Sequence, residues 1–468
     1  MTKKFTEGSI ISAILSLSIP VVISNLLQTV YNLIDAFWLG RFSREAVASI
    51  SFSFPILFLF ISLGAGITVA GTILVSQFFG KGESKKVDYV ATQIVLLVVI
   101  FGIIVSLIGI FLSPSVIKSA GAKGEVLTGA ISYLKICFAG VIFIFGFFVF
   151  QSLLRGIGVV ILPMFVVFST VLLNFFLDPI FILGWGNIFP PMGVKGAAYV
   201  TVLSQGIATL ILFYVLLKGI YGIRINFKYL KPDISLIKKI LSLGVPPALE
   251  HSIRAFSFSL LIFIVGKFGE TVVASYGIVM RIFGFITIPA VGVAMATTAL
   301  VGQNMGAEKL RRAEKISIIS SLLTFIFMLL LGAVFFIFSK ELISFFIPED
   351  LAVINTGAEF IKIVSFTLGF MGLQIVFNGT FRGSGNTKQA MFLTLFTFII
   401  LRITIAWLLS LHSPLKEKGV WYSFAISNLI GGITALILFL TGFWKRKRIT
   451  EEIDVKIKII EKEAEILY

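Results

Sequence analysis

Twelve long apolar stretches, separated by short polar connections, dominate this 468-residue chain. They lie at about 12–37, 50–79, 90–113, 126–153, 160–184, 194–219, 238–267, 273–303, 314–338, 353–380, 387–411 and 418–443. Each is long enough to cross a bilayer, which takes about 20 helical residues. Because a backbone in lipid must satisfy its own hydrogen bonds, we expect helices. The chain is therefore predicted to be an all-α polytopic membrane protein with twelve transmembrane helices, and its 57% hydrophobic content agrees.

The net charge is +16, yet the basic residues lie mainly in the short connections between apolar stretches. This distribution is typical of a membrane protein and argues against nucleic acid as a partner; the lipid bilayer is the expected surrounding. With the N-terminus inside, the cytoplasmic connections hold more than twice as many lysines and arginines as the outer ones. The positive-inside rule then places both termini in the cytoplasm and the protein in the cytoplasmic (inner) membrane.

Residues suited to catalysis or metal binding are sparse. The one cysteine, Cys137, lies in an apolar stretch and is interpreted as a small buried side chain. The two histidines, His251 and His412, have no metal-ligand spacing, and no phosphate loop or nucleophile elbow is present. We therefore expect neither enzyme activity nor a cofactor. The N-terminus has no small-residue cleavage site, so we interpret it as mature sequence rather than a signal peptide.

The second half of the chain repeats the first. At a constant offset of about 226 residues, LSLSIP (15–20) aligns with LSLGVP (241–246), and LVSQFFG (74–80) aligns with LVGQNMG (300–306). Six spans per repeat make the two repeats parallel, an arrangement found in transporters with a central cleft between lobes. We predict an N-terminal lobe at 1–219, a cytoplasmic linker at 220–237, a C-terminal lobe at 238–443 and a charged cytoplasmic tail at 444–468.

Several polar residues occur in the first half only. Asp35 aligns with Leu261, Asp178 aligns near Ile405 and Ala406, and Thr201 aligns with Phe424. Asn174 and Asp178 are four apart and share a helix face, as do Ala197 and Thr201. Carboxylate, amide and hydroxyl oxygens suit Na⁺, or a proton held between two acids.

We therefore predict a cation site formed by Asp35, Asn174, Asp178, Thr201 and Ala197, where Na⁺ is one candidate ion. The alternative is that both acids cap or snorkel near the ends of their spans. Against it, an ionisable side chain within a span costs at least about 2.5–3.5 kcal/mol.

The second half carries charges of its own. Glu250 and Arg254 are spaced as an i,i+4 pair in span seven. One interpretation is a salt bridge within the lobe; the other is substrate contact or proton handling. Arg402, opposite Asn174, is a candidate to neutralise Glu250 or to hold an anionic group. All three residues are secondary site candidates.

Four stretches resemble a known family. LSIPVVISNLLQTVYNLIDAFWLGRFS, NFFLDPIFILGWG, GVKGAAYVTVLSQ and FRGSGNTKQAMF are similar to the multidrug and toxic compound extrusion (MATE) family of the polysaccharide-flippase superfamily. The resemblance covers all twelve spans and leaves out the charged tail. The acid of span one, with N-x-x-x-D-P in span five, resembles the archaeal and DinF-like branch.

The resemblance implies export of amphipathic, cationic compounds by antiport with H⁺ or Na⁺. Asp35, Asn174, Asp178 and Thr201 match the family's cation positions. Candidates for lining the substrate cavity are Tyr31, Tyr133, Gln28 and Asn32. Pro20 matches the proline at which the first span bends on protonation. Another branch has its main acid in span seven, near Glu250, whose role is left open.

Three other functional classes are alternatives to a drug antiporter: a flippase, a membrane enzyme and a channel. A flippase for a lipid-linked saccharide would be expected to have a strongly basic cavity, whereas the in-span charges of the first half are mostly acidic. A membrane enzyme would need a nucleophile or metal cluster, and a channel would lack coupling. We expect a monomer acting on small amphipathic molecules. The residues do not choose between H⁺ and Na⁺, since both bind the same oxygens.

Overall fold

The computed structural model describes residues 5–186, 188–446 and 449–450. Within these residues the chain is helical, and the only strand-like pairing is an isolated bridge between Trp185 and Phe189. The first half holds α1 (Ile10–Phe42), α2 (Arg44–Lys81), α3 (Ser84–Ser119), α4 (Gly124–Ala139), α5 (Val141–Gly156), α6 (Ile161–Leu183) and α7 (Val194–Lys218).

The second half continues with helices of the same kind. They are α8 (Ile234–Val265), α9 (Glu270–Gly306), α10 (Leu310–Ile337), α11 (Ser339–Ser344), α12 (Leu351–Ser365), α13 (Leu368–Gly383), α14 (Thr387–Leu395), α15 (Arg402–Leu411) and α16 (Glu417–Leu440). Among the described residues, ten helical segments are long and apolar enough to cross a membrane, and the number is twelve if each of two bent pairs forms one span. The predicted all-α membrane fold is confirmed.

The two bent pairs are the predicted fourth and tenth spans. α4 and α5 meet at 51°, and α12 and α13 meet at 58°. The breaks fall at Gly140 and at Thr367, which are equivalent positions in the repeat. At Gly140 the chain passes very close to α7, since a Cβ there would lie 2.4 Å from a methyl group of Val202. Both halves therefore share the break as well as the sequence motifs.

Span eleven differs from its counterpart in the first half. A π-helical segment, Phe396–Leu401, separates α14 from α15, whereas α6 is an uninterrupted α-helix. A π-bulge adds a residue to a helix and often marks a functional site. Here it comes directly before Arg402, and the hydroxyl of Ser257 in α8 donates a hydrogen bond of 2.7 Å to the carbonyl of Phe398 within it.

By packing, the described chain divides into two compact units. One contains residues 23–245, and the other contains residues 5–22 together with 246–446 and 449–450. The division falls inside α1, after Val22, and inside α8, before Pro246. The predicted lobes were defined by which spans they contain, whereas these units are defined by packing. The predicted lobe boundaries therefore stay a prediction, and so does the central cleft.

Residues 220–237, the predicted linker, pack against α3 within the first unit. Gln93 donates hydrogen bonds of 2.6 and 2.7 Å to the carbonyls of Tyr229 and Lys231, and the Tyr89 hydroxyl donates to Asp233 at 2.8 Å. This connection is thus anchored along its length. Of the predicted charged tail, residues 447–448 and 451–468 lie outside the described residues.

An aromatic cluster forms the core of the second unit. Phe360 and Trp421 stack with ring centroids 4.0 Å apart, and Tyr276 stacks on both. Leu261, the counterpart of Asp35, is fully buried in this apolar cluster. The position that carries a carboxylate in one half therefore packs as ordinary hydrophobic core in the other.

Candidate cation-binding site

Helices α1 and α6 bring together the acids predicted from the repeat. The side-chain nitrogen of Asn174 donates one hydrogen bond to Asp35 Oδ1 at 2.9 Å and another to Asp178 Oδ1 at 3.2 Å. Asn174 and Asp178 are fully buried, and Asp35 is partly buried. Because one nitrogen serves both carboxyl groups, the two acids lie side by side in the interior of the first unit.

The local sequence explains this arrangement. Asn174 and Asp178 are one helical turn apart on α6, so both face α1. Pro179 lies within the same helix and has no N–H to donate to the carbonyl one turn earlier. The carbonyl of Phe175 therefore receives no backbone hydrogen bond from position 179.

Several buried oxygens around the acids have no hydrogen-bond partner among the described residues. They are Asn174 Oδ1, Asp178 Oδ2, Thr201 Oγ1, Ser204 Oγ and the Tyr31 hydroxyl. Buried polar atoms are normally paired, so an unpaired cluster points to a ligand or ion. Carboxylate, amide and hydroxyl oxygens are what a proton or Na⁺ requires, and the residues present fit either. Within the described residues, no three His, Cys, Asp or Glu side chains come together as a metal cluster.

The other predicted site residues differ in how deeply they are buried. Tyr31 lies beside the hydroxyls of Thr201 and Ser204, and Tyr133 on α4 is close enough to Tyr31 to interact with it. Both tyrosines are buried. Ala197 is also buried, whereas Gln28 is partly exposed and Asn32 is exposed. The predicted cavity lining by Tyr31, Tyr133, Gln28 and Asn32 stays a prediction.

Ser204 was not predicted. It lies three residues after Thr201 on α7, so the helical spacing of two hydroxyl side chains would have indicated it. The predicted bend at Pro20 also stays a prediction, since α1 runs as one helix through this residue.

Glu250 makes a salt bridge within the second unit, and its partner there is Arg382. Its carboxylate accepts two hydrogen bonds from Arg382, at 3.2 Å from Nε and 2.5 Å from Nη2, and a third from Thr394 at 3.3 Å. The same carboxylate attracts Arg254, one helical turn away, so the predicted pairing of Glu250 with Arg254 stays a prediction. Arg382 on α13 binds the carboxylate through two nitrogens of its guanidinium, the bidentate contact typical of strong arginine–carboxylate pairs.

Arg402 has hydrogen-bond partners other than Glu250. Its Nε donates to Ser427 Oγ at 2.9 Å and its Nη2 to Asn428 Oδ1 at 2.8 Å, and the side chain is buried. Its guanidinium lies 4.3 Å from the ring centroids of both Phe398 and Phe424. The buried Nε of Arg254 makes no hydrogen bond among the described residues, although Glu250 attracts the guanidinium electrostatically.

Similar proteins span nearly the whole chain. "Probable multidrug resistance protein YpnP" of Bacillus subtilis is 30% identical over 450 residues, covering 96% of this chain and 99% of the relative. "Multidrug export protein MepA" of Staphylococcus aureus (strain NCTC 8325 / PS 47) is 25% identical over 435 residues, covering 93% and 94%.

A solved structure gives the same fold. It is described as the outward-facing conformation of a multidrug resistance MATE family transporter of the MOP superfamily. It matches with a TM-score of 0.89 at 26% identity, covering 95% of this chain and 98% of that one. The MatE family model itself matches twice, at residues 20–180 and 246–408, which agrees with the internal repeat. The predicted resemblance is therefore confirmed, and the chain belongs to the MatE family of membrane transporters.

Proposed function

We propose that this protein exports amphipathic, cationic compounds across the cytoplasmic membrane by antiport with H⁺ or Na⁺, with both termini in the cytoplasm. Membership of a transporter family supports transport rather than enzyme activity. Relatives with names such as multidrug export protein support drugs as the substrate class. The observation that carries the coupling role is the pair Asp35 and Asp178, bridged by one amide nitrogen in the interior of the first unit.

The coupling step follows from electrostatics. Two carboxylates that share one neutral donor repel each other when both are ionised, so the pair favours one proton or one bound cation. Binding removes the repulsion, and release restores it. The hydroxyls of Thr201, Ser204 and Tyr31 offer further oxygens to a bound ion. Each binding or release event thus changes how α1 and α6 attract each other, which is the kind of local change that drives alternating access.

One chain supplies the whole candidate site, since all its residues come from the first unit. This supports a monomer as the working form. Pro20, eight residues before Gln28 on α1, is the proposed place where the helix responds to the ion. A proline weakens the helix locally because it removes one backbone hydrogen bond.

Transport in proteoliposomes with a proton gradient and a Na⁺ gradient imposed separately tests this proposal. We expect one gradient to drive uptake of a fluorescent cationic dye, and Asp35→Asn to lower that uptake to the level of empty vesicles. Leu261→Met, at the repeat-equivalent position, is the matched control, because it keeps the volume of a buried apolar side chain. Gradient-driven uptake by Asp35→Asn at the wild-type rate would overturn the coupling role.

A further inference from the structure

Positive charge is in excess inside the second unit. Arg254 and Arg382 lie within the helices of this unit, as does the buried Arg402, while Glu250 is the only buried acid among its described residues. Glu250 is already bound to Arg382 through two hydrogen bonds. Glu250 also attracts Arg254, but three arginines share this one buried carboxylate, so the cluster keeps a net positive charge. An unpaired charge within a membrane span is costly and usually functional.

Arg402 is well satisfied without an anion. Two polar partners accept its hydrogen bonds, and two aromatic rings flank its guanidinium at 4.3 Å. A cation held between ring faces is stabilised by the negative quadrupole of each ring. Arg402 thus acts as a fixed positive charge, and it repels its neighbour Arg254.

Arg254 is poorly satisfied by comparison. Its Nε is buried and makes no hydrogen bond among the described residues, and its guanidinium lies 5.4 Å from the Phe398 ring. Glu250 attracts this guanidinium, and Arg382 repels it. Its side chain is partly exposed, so that a ligand can reach it. Guanidinium groups favour carboxylate and phosphate because their N–H donors match the two oxygens of either group.

The surroundings suit an aromatic ligand. Phe258, one turn after Arg254, meets Phe398 edge to face with ring centroids 6.2 Å apart. Phe398 lies in the π-helical segment that Ser257 holds by a hydrogen bond to its carbonyl. An anion at Arg254 would therefore lie next to the apolar rings of Phe258 and Phe398. The backbone carbonyl of Phe398 is itself bound by Ser257 of α8.

The repeat shows that the fold does not need this charge. Arg254 aligns with Gln28 at the same offset of 226 that pairs Leu261 with Asp35. A neutral side chain therefore serves at the equivalent position of the first half. The arginine is better explained by a ligand than by architecture.

We propose that Arg254 binds the anionic group, a carboxylate or a phosphate, of an amphipathic ligand whose apolar part packs against Phe258 and Phe398. This goes beyond cation coupling in the first unit, because binding requires no gradient. The anion has two possible sources, a soluble organic acid or the headgroup of an anionic lipid.

Equilibrium dialysis of the full chain in phosphatidylcholine nanodiscs tests the site with two radiolabelled probes. The probes are 2-naphthoate and its uncharged isostere 2-naphthamide. We expect wild type to bind 2-naphthoate at least about tenfold more tightly, the size of one charge-assisted hydrogen bond. Arg254→Gln should lose this preference, while Arg254→Lys should keep part of it. Arg311→Gln, at an exposed arginine at the start of α10, is the control and should behave as wild type.

Each outcome decides the proposal. Equal binding of the two probes by wild type, no saturable binding of 2-naphthoate, or a preference that survives in Arg254→Gln would overturn it. Thermal melting of each variant checks that it is folded. If phosphatidate in the nanodisc displaces 2-naphthoate, a lipid headgroup is the occupant; if not, a soluble acid is. Asp35→Asn should bind 2-naphthoate as wild type does, so a failure of the coupling proposal leaves this one standing.

Discussion

The ion pair of Glu250 with Arg382 allows a test of whether Glu250 is structural or takes part in coupling. We expect Glu250→Ala to destabilise the protein by about 3–5 kcal/mol, because breaking a buried pair leaves an uncompensated buried charge. The structure supports the upper part of this range. The side chain of Glu250 is 1% exposed, and the orphaned Arg382 would face the positive charge of Arg254 without an intervening acid.

Thermal melting in detergent is the assay. For a domain of 150–250 residues, each kcal/mol shifts Tm by about 2–4 °C, so we expect Glu250→Ala to melt about 6–20 °C lower than wild type. The exposed pair of Glu359 with Lys418, at 2.6 Å, is the matched control in the same unit. Glu359→Ala should leave Tm almost unchanged, because solvent screens an exposed pair.

A double variant distinguishes the loss of the whole ion pair from the loss of one partner. Glu250→Leu combined with Arg382→Met removes both charges, and we expect it to recover most of the lost stability, as apolar replacements of buried pairs do. An unchanged Tm in Glu250→Ala, or a double variant no more stable than the single one, would refute the reasoning. If Glu250→Gln instead melts as wild type but no longer transports, Glu250 takes part in coupling.

Two further predictions concern packing and the N-terminal segment. Gly379→Ala should lower stability by about 1–3 kcal/mol in thermal melting, since a Cβ there would lie 2.5 Å from the carbonyl oxygen of Ala294; Gly277→Ala, with nothing within 4 Å, should not. Arg312 donates to the carbonyls of residues 5, 7 and 8. Arg312→Ala should therefore speed amide hydrogen exchange in residues 5–13, and unchanged protection would contradict it.

The spans and the repeat could be predicted because lipid imposes simple rules. An apolar stretch of sufficient length must be a helix, and repeated Gly, Pro and Gln positions fix the alignment. The breaks at Gly140 and Thr367 could not be predicted, because the apolar stretch continues through each of them. The π-helical segment before Arg402 could not be predicted either. Its contact, the hydrogen bond from Ser257 to the Phe398 carbonyl, joins residues that are 141 positions apart in the sequence.

The candidate site was predictable to the extent that it depends on local spacing and on comparison between the halves. Asp35, Asn174 and Asp178 were grouped because the second half lacks them, and the structure brings them into hydrogen-bond contact. The contact of Glu250 with Arg382 could not be predicted, for the opposite reason. An i,i+4 rule considers only one helix, whereas Arg382 lies 132 residues away.

The repeat also explains why opposite charges occur in different units. Gln28 and Asp35 are seven residues apart, two turns along one face of α1, and Arg254 and Leu261 take the same two positions on α8. The first half has its charge at the second of these positions, on Asp35, and the second half has its charge at the first, on Arg254. Within the second unit, Glu250 and Arg382 satisfy each other. Asp35 and Arg254 belong to different packing units, which is why we assign them to two separate sites, one for a cation and one for the anionic group of a ligand.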